Sequence, residues 1–174
     1  MFNLPVSSNA QWAVQVLTYD YLIEGHVDEK QEHFNFNLIQ ARGGPVNMHL
    51  TSARFQPTGN LAPPEPASTP WALVYAESVV AVIPRDEAST AYVLKNNADF
   101  FKYPVAAEVR VGAYLIQGKV LSPDKMLNVF ESYFRFAVQD AEISCRLPGA
   151  QLTGLKAPYV LVVGSHKQLL TPAA

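Results

Sequence analysis

The sequence predicts a mainly β chain: two tandem small β-barrel modules with one short helix. Three observations predict it. First, residues 21–27 (YLIEGHV) and 114–120 (YLIQGKV) agree at five of seven positions. Second, further related blocks follow each copy in the same order. Third, 13 prolines against 9 glycines in a chain of 174 residues suit loop-rich β structure, because proline cannot donate to a ladder.

The collinear blocks set the module boundaries. After each YLI block comes an Asn element, Phe36-Asn37-Leu38 and Leu127-Asn128-Val129. An alternating run follows: Val46, Met48 and Leu50 lead to Ala53 and Phe55, as Phe134, Phe136 and Val138 lead to Ala141 and Ile143. Last come PWALVYAESVVAVIP at 70–84 and PYVLVVGSHKQLLTP at 158–172, with Trp71 answering Tyr159. The first module is expected over 12–86, with a proline-rich surface loop at 57–70. A linker at 87–104 carries Tyr92-Val93-Leu94 and Phe100-Phe101, too apolar for a loose tether, and the second module covers 105–172.

Within each module the same elements are expected. Val14-Gln15-Val16 and Val109-Arg110-Val111 alternate as half-buried strands running into the YLI strand. Gly25 and Gly118 lie inside that strand, where glycine marks a bulge or bend that curls a small sheet. Ser122, Pro123 and Asp124 read as a cap and first turn for a short helix presenting Met126, Leu127 and Phe130 on one face. At 29–38 the spacing fits helix and strand alike. Each terminal block reads as a buried strand, a turn (Ala76-Glu77-Ser78; Gly164-Ser165-His166-Lys167) and a closing strand stopped by proline.

Composition excludes several function classes. Hydrophobic residues at 49% and charged residues at 16% describe a globular chain. A net charge of −2 argues against a dedicated nucleic-acid binder, since phosphate backbones reward clustered positive charge. The charge is uneven: residues 1–86 hold four basic and eight acidic side chains, residues 105–174 seven basic and five acidic. No stretch approaches the roughly 18 apolar residues of a membrane helix. The N-terminal residues lack a signal-peptide pattern and Cys145 is the only cysteine, so a cytoplasmic location, no disulfide and no thiolate metal cluster are expected.

Candidate sites are few. Glu24, His26 and Asp28 would share one face of a strand, with Glu32 and His33 following, and imidazole with carboxylate suits zinc or manganese. The second copy has Gln117, Lys119 and Leu121 there, and polar alternation on a solvent-facing strand explains the run equally well, so no metal or other cofactor is assigned. His49 and His166 lack partners at recognisable spacing. Ser7, Ser8 and Ser165 stand outside any nucleophile elbow, and Gly43-Gly44 and Gly112 outside any phosphate-cradling pattern. Tyr21 and Tyr114 read as barrel aromatics and Cys145 as a buried inert thiol. No catalytic residue is assigned.

The succession Y-x-I-x-G-x-V, L-N, an alternating run to alanine, and a valine-rich block closing on proline resembles an uncharacterised family of small bacterial domains of unknown function. The second copy, with Leu127-Asn128 and Gln139-Asp140-Ala141, is the nearer match. That resemblance implies no activity. A bent strand with an internal glycine and a last strand ending in proline is also similar to Sm-like and SH3-like small barrels. Sm-like proteins commonly form rings and bind RNA, but no basic or aromatic cluster follows the strand turns at matching positions in both copies. The expected function is therefore a non-catalytic binding or assembly protein whose partner is protein, either itself or a peptide at strand edges. Sm-like RNA binding stands second, and a metal-dependent enzyme at His26 third.

Overall fold

The computed structural model describes residues 11–28, 47–59, 68–96, 102–122, 135–163 and 167–172. In chain order these form β1 (Gln11–Thr18), β2 (Tyr21–Asp28), β3 (Met48–Pro57), β4 (Ser68–Val74), a 3-10 turn (Ala76–Ser78), β5 (Val79–Pro84), α1 (Glu87–Asn96), β6 (Tyr103–Val111), β7 (Tyr114–Ser122), β8 (Arg135–Cys145), β9 (Leu155–Val163) and β10 (Lys167–Pro172). The strands make one ten-stranded sheet in the order β10-β6-β7-β8-β9-β5-β1-β2-β3-β4. All its pairings are antiparallel. The β class expected from sequence is observed, but among the described residues the ladder is one continuous sheet with two ends, β10 and β4.

The order repeats a pattern. In each half, four consecutive strands pair as a meander and the fifth returns to the first: β5 pairs with β1, and β10 with β6. Val14 opposes Gly25 and Pro84, while Ala107 opposes Gly118 and Pro172. The positional counterpart of Val14-Gln15-Val16 is thus Ala107-Glu108-Val109, two residues earlier than the alternation at 109–111 suggests. The halves meet where β5 pairs with β9, Ala81 opposite Val162 and Val82 opposite Leu161. A strand in the middle of a sheet covered on both faces needs apolar residues at every position, and VVAVIP of β5 is buried throughout.

Both halves carry the same irregularity. On β3 the buried residues run Met48, Leu50, then Ala53, so their parity changes. The extra residue, Ser52, has φ 53°. On β8 Phe136 and Val138 give way to Ala141 and Ile143 across Asp140, at φ 52°. Each is a bulge: the register skips Ser52 and Ala53 against Gly25, and Asp140 and Ala141 against Gly118. The bend therefore lies where the strand glycines predict it, but the third strand of each half supplies the extra residue. Pro70 and Pro158 stand opposite the two bulged residues, where the ladder is interrupted and a missing N–H costs least.

Each core borrows from the other half. The larger cluster, around Tyr114, Ile116, Phe136 and Ile143, takes in Leu17, Val80, Ala81 and Ile83 of the first half. The smaller, around Trp12, Val16, Met48 and Leu50, takes in Leu121, Ala137 and Leu161 of the second. Burial of the Val, Leu and Ile side chains among them contributes about 1.5–3 kcal/mol each, so the shared clusters bind the halves together.

The expected linker at 87–104 contains α1, and β6 begins at Tyr103. Asp86 caps the helix, its Oδ1 accepting the Ser89 N–H at 2.6 Å while Oδ2 accepts the Ala13 N–H of β1 at 2.6 Å. The helix expected after Ser122, the 29–38 element and the Asn motifs lie outside the described residues, as do 60–67 of the proline-rich loop. Among the described residues, no helix is long and apolar enough to cross a membrane.

Candidate functional site

Alternation on β2 sends Glu24 and His26 to the exposed face, with Asp28 half-buried at the strand end. Glu24 is engaged: its Oε1 accepts the Gln15 Nε2–H at 2.6 Å. Asp86 lies close enough for His26 to act on its charge. Burial pushes the Asp86 carboxyl up, but the N–H bonds from Ser89 and Ala13, the Ser89 hydroxyl and His26 outweigh it, and the net direction is down. Glu32 and His33 lie outside the described residues. Among the described residues, no group of three or more His, Cys, Asp or Glu is arranged to hold a metal.

These strands frame a recess of about 340 Å³ lined by Gln15, Glu24, His26, Ser52, Arg54 and Arg85. Its lining mixes both signs of charge. Gln15 is buried, and its Oε1 has no hydrogen-bond partner among the described residues. In the second half the pair is reversed along the strands: Gln117 Nε2 donates to Glu108 Oε1 at 2.5 Å. Where His26 and Ser52 stand in the first half, Lys119 and Asp140 form an exposed ion pair at 2.9 Å.

The other candidates resolve into structural roles. Tyr21 is half-buried, its ring edge-on to Phe55 at 6.0 Å and 88°. Tyr114 is buried, and its hydroxyl lies 2.7 Å from Thr58 Oγ1 and 2.9 Å from the carbonyls of Thr18 and Tyr19. With one proton, it donates to one of those carbonyls and accepts from Thr58. Burial is the main cause that pushes this phenol up to about 12. Gly112 turns the β6–β7 hairpin at φ 58°. Cys145 is buried in the larger core cluster. His49 is exposed on β3, its ring 5.8 Å from that of Trp71 and tilted 31° to it. His166, Ser7, Ser8, Ser165, Gly43 and Gly44 lie outside the described residues.

The most distinctive surface is the β4 end of the sheet. Trp71 and Leu73 alternate on one face of β4, with Tyr75 just past the strand end, and the three are 60%, 45% and 64% exposed. Leu73 and Leu161 hold the same place in their halves, opposite His49 and Ala137 respectively. Yet Leu161 is only 5% exposed, because β5 pairs beside it. Among the described residues, no strand pairs on the outer side of β4 to cover Leu73 in the same way. No family model, curated protein or solved structure matches the chain.

Sequence reading missed this row, although its signal was present. In Trp71-Ala72-Leu73-Val74-Tyr75 both alternating sets are apolar, the pattern of a strand covered on both faces. A strand so written at the end of a sheet has one set left uncovered.

Proposed function

We propose that the protein is a non-catalytic binding and assembly module, in which two small barrel-type units of Sm-like or SH3-like character present a strand edge to protein partners. The row of Trp71 and Leu73 on an end strand, continued by Tyr75 just past its end, carries this reading. An edge strand offers unpaired backbone donors and acceptors, and alternate apolar side chains beside them supply affinity and selectivity for an added strand. The repeated strand order supports the two-unit description, and the resemblance to small bacterial domains of unknown function belongs to the same proposal. A protein partner is favoured over RNA because the exposed row is apolar, whereas the Arg54 and Arg85 recess also carries Glu24.

The test is a titration with a capped hexapeptide of alternating Val and Thr, followed by amide chemical shifts. Perturbations should centre on Ser68–Val74 and vanish in a Trp71→Lys/Leu73→Lys variant. Shifts confined to the 340 Å³ recess, or no shift at any concentration, would refute the reading.

A further inference from the structure

The junction between the two halves shows how this sheet adds a unit. There the fifth strand of the first half, β5, pairs with the fourth strand of the second, β9. The two strands left at the ends are of the same two kinds: β10 is a fifth strand and β4 a fourth. The correspondence holds residue by residue. Val16 opposes Val82 and Leu17 opposes Ala81, as Val109 opposes Leu170 and Arg110 opposes Leu169. On the fourth strands, Leu161 and Val162 answer to Leu73 and Val74.

We infer that β4 of one chain pairs antiparallel with β10 of another copy of the same chain, in the register of the internal junction, with Leu73 opposite Leu170 and Val74 opposite Leu169. The inference rests on the assembly reading above and names its partner. Leu73 would then be covered as Leu161 is, and both sheet ends found among the described residues would be paired. The charge distribution favours the contact, since an acidic first half meets a more basic second half. Its flanks are more polar than those of the internal junction. Where Leu121 and Ala137 enter the first-half core, the corresponding positions are Asp28 and His49. The intermolecular contact is therefore the weaker one, and its extent depends on concentration. Two different edges meet, so the contact is heterologous and the assembly is a ring or a filament.

Light scattering over a concentration series reads the assembly. A mass above two chains is expected, discrete for a ring and growing for a filament, and Trp71→Lys/Leu73→Lys should return it to one chain with its melting unchanged. In a Cys145→Ala background, mixing a Leu73→Cys chain with a Leu170→Cys chain should give a disulfide-linked pair under mild oxidation. Efficient linking of Leu73→Cys to itself would show a two-fold β4–β4 contact and overturn the inference. A monomer at all concentrations overturns it too. If that monomer still binds the Val/Thr hexapeptide at β4, the assembly reading survives with a different partner; if it does not, both fall.

Discussion

Gly25 and Gly118 occupy the same bend in two halves of one sheet, and the room around them differs. A Cβ on Gly118 would lie 2.7 Å from the Gln139 carbonyl oxygen and 2.7 Å from Val138 Cγ1. On Gly25 it would lie 3.1 Å from Leu50 Cβ and 3.2 Å from the Thr51 carbonyl oxygen. The bulge is common to both, but the second half closes more tightly on it. The aromatics that open the second strands diverge in the same direction. Tyr21 meets Phe55 within its own half, whereas Tyr114 reaches into the other half and bonds Thr58. A shared strand order thus fixes where a residue stands, and the neighbouring half decides what it does there.

The glycines give the largest expected effect. Gly118→Val should cost about 3 kcal/mol or more, because backbone must move, and Gly25→Val about 1–2 kcal/mol. Denaturant melts of both variants check this. Equal losses would mean that the closer approach at Gly118 relaxes freely.

Tyr114 sharpens the contrast next. Its Phe variant should lose about 1–2 kcal/mol at neutral pH, through the buried carbonyl and Thr58 hydroxyl left without their partner. The phenol also sets an alkaline limb. Its folded pKa of about 12 lies above the ordinary 10, so the folded state holds the proton more tightly. That stability is complete below pH about 10 and is lost as pH rises through about 12, a change of roughly 2 kcal/mol. Melts from pH 8 to 12 should show this limb in the native chain and a flatter one in Tyr114→Phe. A matching decline in both would assign it elsewhere, Tyr19 being the first candidate because burial raises its phenol too.

The smallest effect belongs to Lys119 and Asp140, whose side chains are 51% and 58% exposed. Lys119→Ala should change stability by less than about 0.5 kcal/mol, and by less still in high salt. A loss above 1 kcal/mol would show that the ion pair helps hold Asp140 in its left-handed conformation.

The bulge was written in the sequence and only half read. The glycines pointed to the bend, but the change of parity between Leu50 and Ala53, and between Val138 and Ala141, located the inserted residue on the opposing strand. The recess was legible only in part: Glu24 and His26 belong to the singled-out strand run, whereas Gln15, Ser52, Arg54 and Arg85 come from three other stretches of chain. The helix at Glu87–Asn96 stands where the sequence suggests a linker, and the Asp86 carboxylate that caps it is held by a long-range bond from the Ala13 N–H of β1.

By itself the sequence determined the β class, the two glycine bends, and the order of matching blocks, because period-two alternation, glycine and proline act through local backbone sterics. Tertiary structure decided that the strands form one sheet, that β5 meets β9, and that Leu161 is covered while Leu73 is not. Those outcomes depend on which strand lies alongside. Two leucines at equivalent positions carry no local mark of whether a neighbour is present.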